Sequence, residues 1–230
     1  MRDRHVLCTG GAGGLGNKVT AALIRRGARV TVPVHARSEG DRLQAELGPL
    51  SSHVRLVEAD LRDEAQVAAI AAEMPRLDAL VHLVGGFAMG PTTSFTLTAY
   101  HEQIELNLTT TFLAVKHALA RMQTVGSGRI VTVASRAALE PSGATSVYSA
   151  CKAAVLAFTR AVADETRGTG ITANCVLPSI IDTPANRAAM GDADAAKWVK
   201  PERLAETIGF LASEEAGDLR GSAIQVYGSA

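Results

Sequence analysis

Val6-Leu-Cys-Thr9-Gly-Gly-Ala-Gly-Gly-Leu-Gly16-Asn-Lys-Val19-Thr-Ala-Ala22-Leu23 joins a short apolar run to a glycine-rich turn and then to a segment with apolar residues Leu15, Val19, Ala22 and Leu23 at helical spacing. Strand, glycine loop and helix in that order predict an anion-binding turn. Residues without Cβ atoms let a pyrophosphate approach the backbone at Gly10, Gly14 and Gly16, and the helix N-terminus supplies free N–H groups and partial positive charge. A tight turn needing positive φ is the plainer reading of the same glycines. Their place between a strand and a helix favours phosphate.

Outward from this turn, β-branched or apolar runs alternate with longer segments of helical period. Strands are expected at Val6–Thr9, Arg29–Val34, Val54–Glu58, Ala79–Val84, Arg129–Ala134, Thr172–Val176 and Ala223–Val226. Several are apolar throughout, as strands buried on both faces must be. One intervening helix places Val67, Ile70, Ala71 and Met74 on one face, with Asp63 as its N-cap. The pattern predicts an α/β fold: a doubly wound, seven-stranded parallel sheet with helices on both faces. The chain of 230 residues, 47% hydrophobic, suits one domain over residues 1–230, and the least regular stretch, Pro178 to Lys200, is the expected substrate lid.

Lys plus Arg equals Asp plus Glu at 23 each, so no basic excess draws the chain to nucleic acid or an anionic membrane. The apolar runs are strand-sized, too short for a membrane span, and no signal-peptide pattern precedes the first strand, so the cytoplasm is expected. Cys8, Cys151 and Cys175 are too scattered for a disulfide framework or a zinc site, the six histidines show no ligand spacing, and no metal is expected. A small-molecule partner is left.

Tyr148 and Lys152 are four residues apart, so on a helix they share a face and the ammonium can favour an ionised phenol. Ser135 lies 13 residues before the tyrosine. A packing aromatic, a solvated lysine, a strand-end serine and a satisfied Asn107 would each be unremarkable alone; together, behind a phosphate loop, they read as an active site.

Thr9-Gly-x-x-x-Gly-x-Gly16 with Asn107, Ser135, Tyr148 and Lys152 resembles the short-chain dehydrogenase/reductase family over nearly the whole chain. The resemblance implies that Tyr148 is the general acid or base, that Lys152 lowers its pKa and bonds the nicotinamide ribose, that Ser135 holds the substrate oxygen, and that Asn107 helps relay the proton through water. It further implies a dinucleotide contacted by Thr9, Gly10, Gly14, Leu15 and Gly16, by Asp60 and Leu61 at the adenine, by Gly85, and by Pro178, Ile181 and Thr183 at the carboxamide. Asp60 could instead cap the next helix. Two positions depart from the pattern: His82-Leu-Val-Gly85 replaces Asn-Asn-Ala-Gly, and Ser179 stands where glycine is usual. His82, inside an apolar strand, is read as a satisfied sheet residue rather than a base.

No carboxylate ends the second strand, which runs Val32-Pro-Val-His35-Ala-Arg37, and Arg37 could pair with a 2′-phosphate. NADP(H) is therefore favoured, with NAD(H) the alternative. The expected reaction is hydride transfer between nicotinamide and a carbonyl or secondary alcohol. Asp182-Thr-Pro-Ala-Asn186-Arg187 with Trp198, and Arg136-Ala-Ala-Leu139, resemble the dihydropteridine reductase branch, which offers a pterin as alternative substrate. That branch lacks the serine and keeps the carboxylate. A dinucleotide-sensing module without catalysis is the third reading, and it has no need of the Ser135, Tyr148 and Lys152 set. By the family likeness, the helix near Thr98–Val125 and the one holding Tyr148 would form a homo-oligomer, a tetramer or dimer.

Overall fold

In the computed structural model, which describes residues 1–229, strands and helices alternate along the chain. The order is β1 (His5–Thr9), α1 (Gly16–Arg25), β2 (Arg29–Val34), α2 (Arg37–Leu47), β3 (Val54–Glu58), α3 (Glu64–Glu73), β4 (Ala79–His82), α4 (Leu97–Ile104), α5 (Thr110–Gln123), β5 (Ser127–Val133), α6 (Ser146–Glu165), β6 (Gly170–Pro178), α7 (Pro184–Met190), α8 (Pro201–Leu211) and β7 (Ala223–Val226). The strands form one parallel sheet in the order β3-β2-β1-β4-β5-β6-β7. The chain winds outward from β1 to β3 and then crosses back to lay β4 on the other side of β1. Loops leaving β1 and β4 therefore diverge, and a crevice opens at their carboxyl ends.

Alternate residues of the central strands feed cores on opposite faces of the sheet. Val6, Cys8 and Val81 pack with Val19 and Leu23 of α1, Leu43 of α2 and Ile208 of α8. Leu7, Leu80 and Ile130 pack on the other face with Ile70 of α3, Ala118 and Met122 of α5, and Val162 of α6. Each fully buried aliphatic side chain contributes about 1.5–3 kcal/mol, so both faces of the sheet hold the strand ends in place. Asp63 caps α3, accepting from the N–H groups of Ala65 and Gln66. Pro33 lies within β2 but beyond its last pair with β1, Leu7 with Thr31, so its missing N–H leaves no gap in that ladder.

β1 begins one residue before its expected start and β5 runs Ser127–Val133 rather than Arg129–Ala134; three further elements also differ from the sequence expectation. β4 stops at His82 rather than Val84, because its partner β1 ends at Thr9 and the chain then turns past Gly10. β6 extends to Gly170–Pro178, being paired by β5 along one edge and by β7 along the other. The expected helix near Thr98–Val125 is broken: α4 and α5 are joined by a π turn, Glu105–Thr109. There the hydroxyls of Thr110 and Thr111 donate to the carbonyls of Leu106 and Asn107, which loosens the regular ladder. Such wide turns recur at functional sites.

The glycine loop packs on itself more closely than any side chain allows. A Cβ on Gly16 would overlap the carbonyl oxygen of Gly10 and stand 2.7 Å from the carbonyl carbon of Gly11. Both obstacles are backbone and cannot swing aside. Gly16→Ala should therefore lower the unfolding free energy in urea by about 3 kcal/mol, the upper end of an overpacking penalty, and weaken dinucleotide binding with it.

Candidate active site

The carboxyl end of β5 delivers Ser135, which caps a short 3-10 turn (Arg136–Ala138), its Oγ accepting from the Ala137 N–H at 3.2 Å. α6 brings Tyr148 and Lys152 up on one face. The Tyr148 hydroxyl hydrogen-bonds to Ser135, and Lys152 Nζ lies 5.9 Å from the phenol ring centroid. Lys152 is buried and donates to the Val133 carbonyl at 3.1 Å. Burial pulls its ammonium down from 10.5 to about 8, against smaller opposing effects of Cys175 and Cys151. The acidified phenol expected from the Tyr148 and Lys152 spacing is not what this arrangement delivers. Burial pushes Tyr148 above its ordinary value, the Ser135 bond pulls it back in part, and Cys151 adds to the rise. The lysine sits beneath the ring, turned to Val133.

Asn107 sits in the π turn, fully buried. Its Oδ1 accepts from the Gly86 N–H at 3.2 Å, and its Nδ2 donates to the carbonyls of Gly86 at 3.1 Å and Gln103 at 3.0 Å. The carboxamide thus grips the loop after β4 rather than pointing a free group at Tyr148. Gly85 lies in the same corner: a Cβ there would stand 2.8 Å from Lys152 Nζ and 2.9 Å from Asn107 Oδ1. His82 lies beneath, 2.7 Å from Thr9 Oγ1 through Nδ1 and 3.4 Å from Thr110 Oγ1 through Nε2. Because the Thr110 hydroxyl already donates to Leu106, it accepts from Nε2–H, and Nδ1 accepts from Thr9. Burial, and next the charge of Lys152, hold this imidazole neutral, with its pKa down to about 3.

At the crevice between β1 and β4 a cavity of about 500 Å³ is lined by Gly10, Asp60, Leu61, Val84, His35 and Glu39 among others. Gly14 approaches Thr183, where a Cβ would meet the threonine methyl at 3.5 Å, so the glycine loop and the segment after β6 meet. Thr183 caps α7, accepting from the Asn186 N–H at 3.2 Å. Leu15 opens α1 and packs against the core, and Pro178 ends β6. Ile181 bridges to Val199, and Ser179 donates to the Tyr227 carbonyl at 2.7 Å. The Asp60 carboxylate accepts from Arg62 at 2.7 Å, which holds it down at about 2, while the N-cap role belongs to Asp63.

Of the expected contacts, Gly10, Asp60 and Leu61 line this cavity and Arg37 does not. It is exposed in the first turn of α2 and absent from the cavity wall. Glu39, two residues on, is in the wall, with its carboxylate accepting from the His35 N–H at 3.0 Å. Sequence reading missed it because a carboxylate was sought at the strand end, whereas one helical turn carries this one back over β2. Its signal was an acidic residue in the first turn of a helix. Arg42 was missed as well; it donates to the Ala12 carbonyl of the glycine loop at 3.0 Å.

A reversed parallel sheet, a backbone cradle at the reversal and a Ser/Tyr/Lys cluster beside it define a dinucleotide-type oxidoreductase site. The family model "short chain dehydrogenase" matches residues 4–193, and the chain belongs to that family. It is 34% identical over 239 residues to cis-4-hydroxycyclohexanecarboxylate dehydrogenase of Sinomonas cyclohexanicum, covering 98% of this chain and 96% of the relative. Identity is 30% to 7alpha-hydroxysteroid dehydrogenase of Bacteroides fragilis, covering 99% and 94%. The solved structure of ElxO with NADP bound is similar at a TM-score of 0.92 and 25% identity, covering 98% of each chain. The protein is an oxidoreductase of the CH–OH/C=O class in a family that generally uses NAD(P). No helix among the described residues is long and apolar enough to cross a membrane.

The buried ammonium of Lys152 carries a stability consequence of definite sign. A lysine with a folded pKa near 8 and an unfolded value near 10.5 binds fewer protons folded than unfolded between those limits, so stability rises with pH there, and the cost is full below about 8. Lys152→Met should therefore melt higher than the native chain at pH 7. The gap should shrink steadily from about pH 8 to about 10.5, as thermal unfolding of the two proteins side by side would read.

Proposed function

We propose that the protein transfers hydride between NADP(H) and the carbonyl or secondary alcohol of a small, largely apolar molecule, with Tyr148 as the general acid or base. The observation that carries this reading is the Ser135–Tyr148 hydrogen bond set above a buried Lys152, whose Nζ borders Gly85 in the loop after β4. The crevice fits a dinucleotide: the glycine loop is bare backbone at Gly10 and Gly16, and Gly85 leaves room that a Cβ would fill. Thr9, Gly14, Leu15, Asp60, Leu61, Ile181 and Thr183 would hold it along its length, and Pro178 would mark its nicotinamide end. When bound there, the dinucleotide supplies or accepts the hydride.

In the reducing direction Ser135 holds the substrate oxygen and Tyr148 gives it a proton as negative charge develops. Burial keeps the phenol protonated, which suits a donor. Lys152, charged below about pH 8, would hold a ribose hydroxyl and return the proton balance of the phenol. Asn107 fixes the loop beside them. Pro178 to Lys200 would act as the lid, its base tied by Asp182, which accepts from Arg187 at 2.5 Å and Lys200 at 2.7 Å. We further propose a homo-oligomer, which the half-exposed Phe112 on α5, paired with Phe158 of α6, supports, and a cytoplasmic location.

Tyr148→Phe should reduce turnover of a carbonyl panel about a thousandfold with dinucleotide affinity kept within about threefold; undiminished turnover removes the tyrosine from the chemistry. Binding without turnover of any carbonyl or quinonoid pterin would instead support a sensor.

The preference for NADP(H) rests on Arg37, exposed at the start of α2, against Glu39 in the cavity wall. Fluorescence titration should find NADPH weakened about tenfold by Arg37→Ala, with NADH unaffected, and tightened by Glu39→Gln. Tighter NADH binding in the native chain, erased by Glu39→Gln, would transfer the choice of cofactor to Glu39.

A further inference from the structure

The loop from Gly85 to Pro91 presents an aromatic ring directly to the reacting tyrosine. Phe87 and Tyr148 have ring centroids 4.9 Å apart and planes at 80°, an edge-to-face pair. Yet Phe87 is 57% exposed, so a large part of its surface stays bare beside the phenol. Its position is fixed from both sides. Asn107 holds the N–H and the carbonyl of Gly86, and the Gly90 N–H donates to the Ala144 carbonyl at 2.7 Å. A Cβ on Gly86 would stand 2.5 Å from Leu106 Cδ2, so the leucine side chain packs closely on this loop. An exposed apolar ring on a loop tied down at both flanks is a built surface, and nothing among the described residues covers it.

We infer that Phe87 is a specificity-determining residue that selects a cyclic, apolar carbonyl or alcohol as substrate, an inference that rests on the hydride-transfer reading. Gly85-Gly-Phe-Ala-Met-Gly-Pro91 offers no side-chain hydrogen-bond donor or acceptor of ordinary strength and exposes Met89 as well, and Leu139 after Ser135 and Ile180 after β6 are exposed too. A polyol or a charged substrate entering here would leave water without finding partners, the kind of mismatch that enzymes discriminate against strongly. The Ser135 and Tyr148 hydroxyls provide for one oxygen. A molecule with a single oxygen on an otherwise apolar body matches that supply. A ring fits better than a chain because it meets Phe87 as a rigid surface and gives up no internal rotations on binding.

The test is a comparison of cyclopentanone and cyclohexanone with pentan-2-one and hexan-2-one, as kcat/KM ratios of ring to chain at saturating NADPH or NADH. The native protein should prefer the rings, and Phe87→Ala and Phe87→Leu should each reduce the ratio about tenfold, chiefly through KM for the ring. Val125→Ala, at an apolar residue equally bare beyond α5, controls for general surface effects and should keep the native ratio. Since Phe87 is largely exposed, both variants should keep the native melting temperature. An unchanged ratio in the variants, or a native preference for chains, overturns the inference and leaves hydride transfer intact. Turnover of a polyol or pterin but of no simple ketone does the same. No turnover of any compound, with dinucleotide bound, overturns the hydride-transfer reading and this inference together.

Discussion

A protonated amine deep in the protein is the constraint around which the site is arranged. Lys152 can remain charged there only because the end of β5 offers it the Val133 carbonyl and because the corner it enters is kept clear by Gly85. Asn107 Oδ1 borders the same space, brought inward by the π turn between α4 and α5. Desolvation works against the charge throughout, and a more apolar residue would pack with less penalty. Stability is given up where Lys152 is buried as an ammonium.

The reversal of strand order is what makes that corner available. β1 and β4 are neighbours in the sheet, yet their loops leave in opposite directions, so Gly10 passes within contact of Leu83 and Val84 while the cavity opens between them. His82 joins the two strand ends to α5 through Thr9 and Thr110, and burial keeps it uncharged, so it adds no second cation next to Lys152. Where the family pattern has asparagine, an imidazole of fixed tautomer here links three elements.

Much of the fold could be read from local pattern. Apolar strands of five or six residues, the Asp63 cap and the glycine loop are short-range features whose physics is complete within one element. The ends of β4, β5 and β6 do not follow from local pattern, because a strand stops where its neighbour stops, and the neighbour is distant in sequence. The break at Glu105–Thr109 was equally hidden, since a hydroxyl bonding back to a carbonyl leaves the apolar period almost unchanged. At the site, the four-residue spacing placed Tyr148 and Lys152 correctly on one face. It could not say how deeply that face is buried, and burial reverses the expected direction for the phenol.

The sequence by itself determined the α/β class and the family, because each of these is written in spacing along a single helix, strand or turn. Tertiary structure alone decided that Glu39 rather than Arg37 faces the cavity, that Asn107 grips Gly86, and that Phe87 stands against Tyr148. Those relations join residues from separate loops, and their distances follow from how strands stack and where each ends, which no run of neighbouring residues encodes.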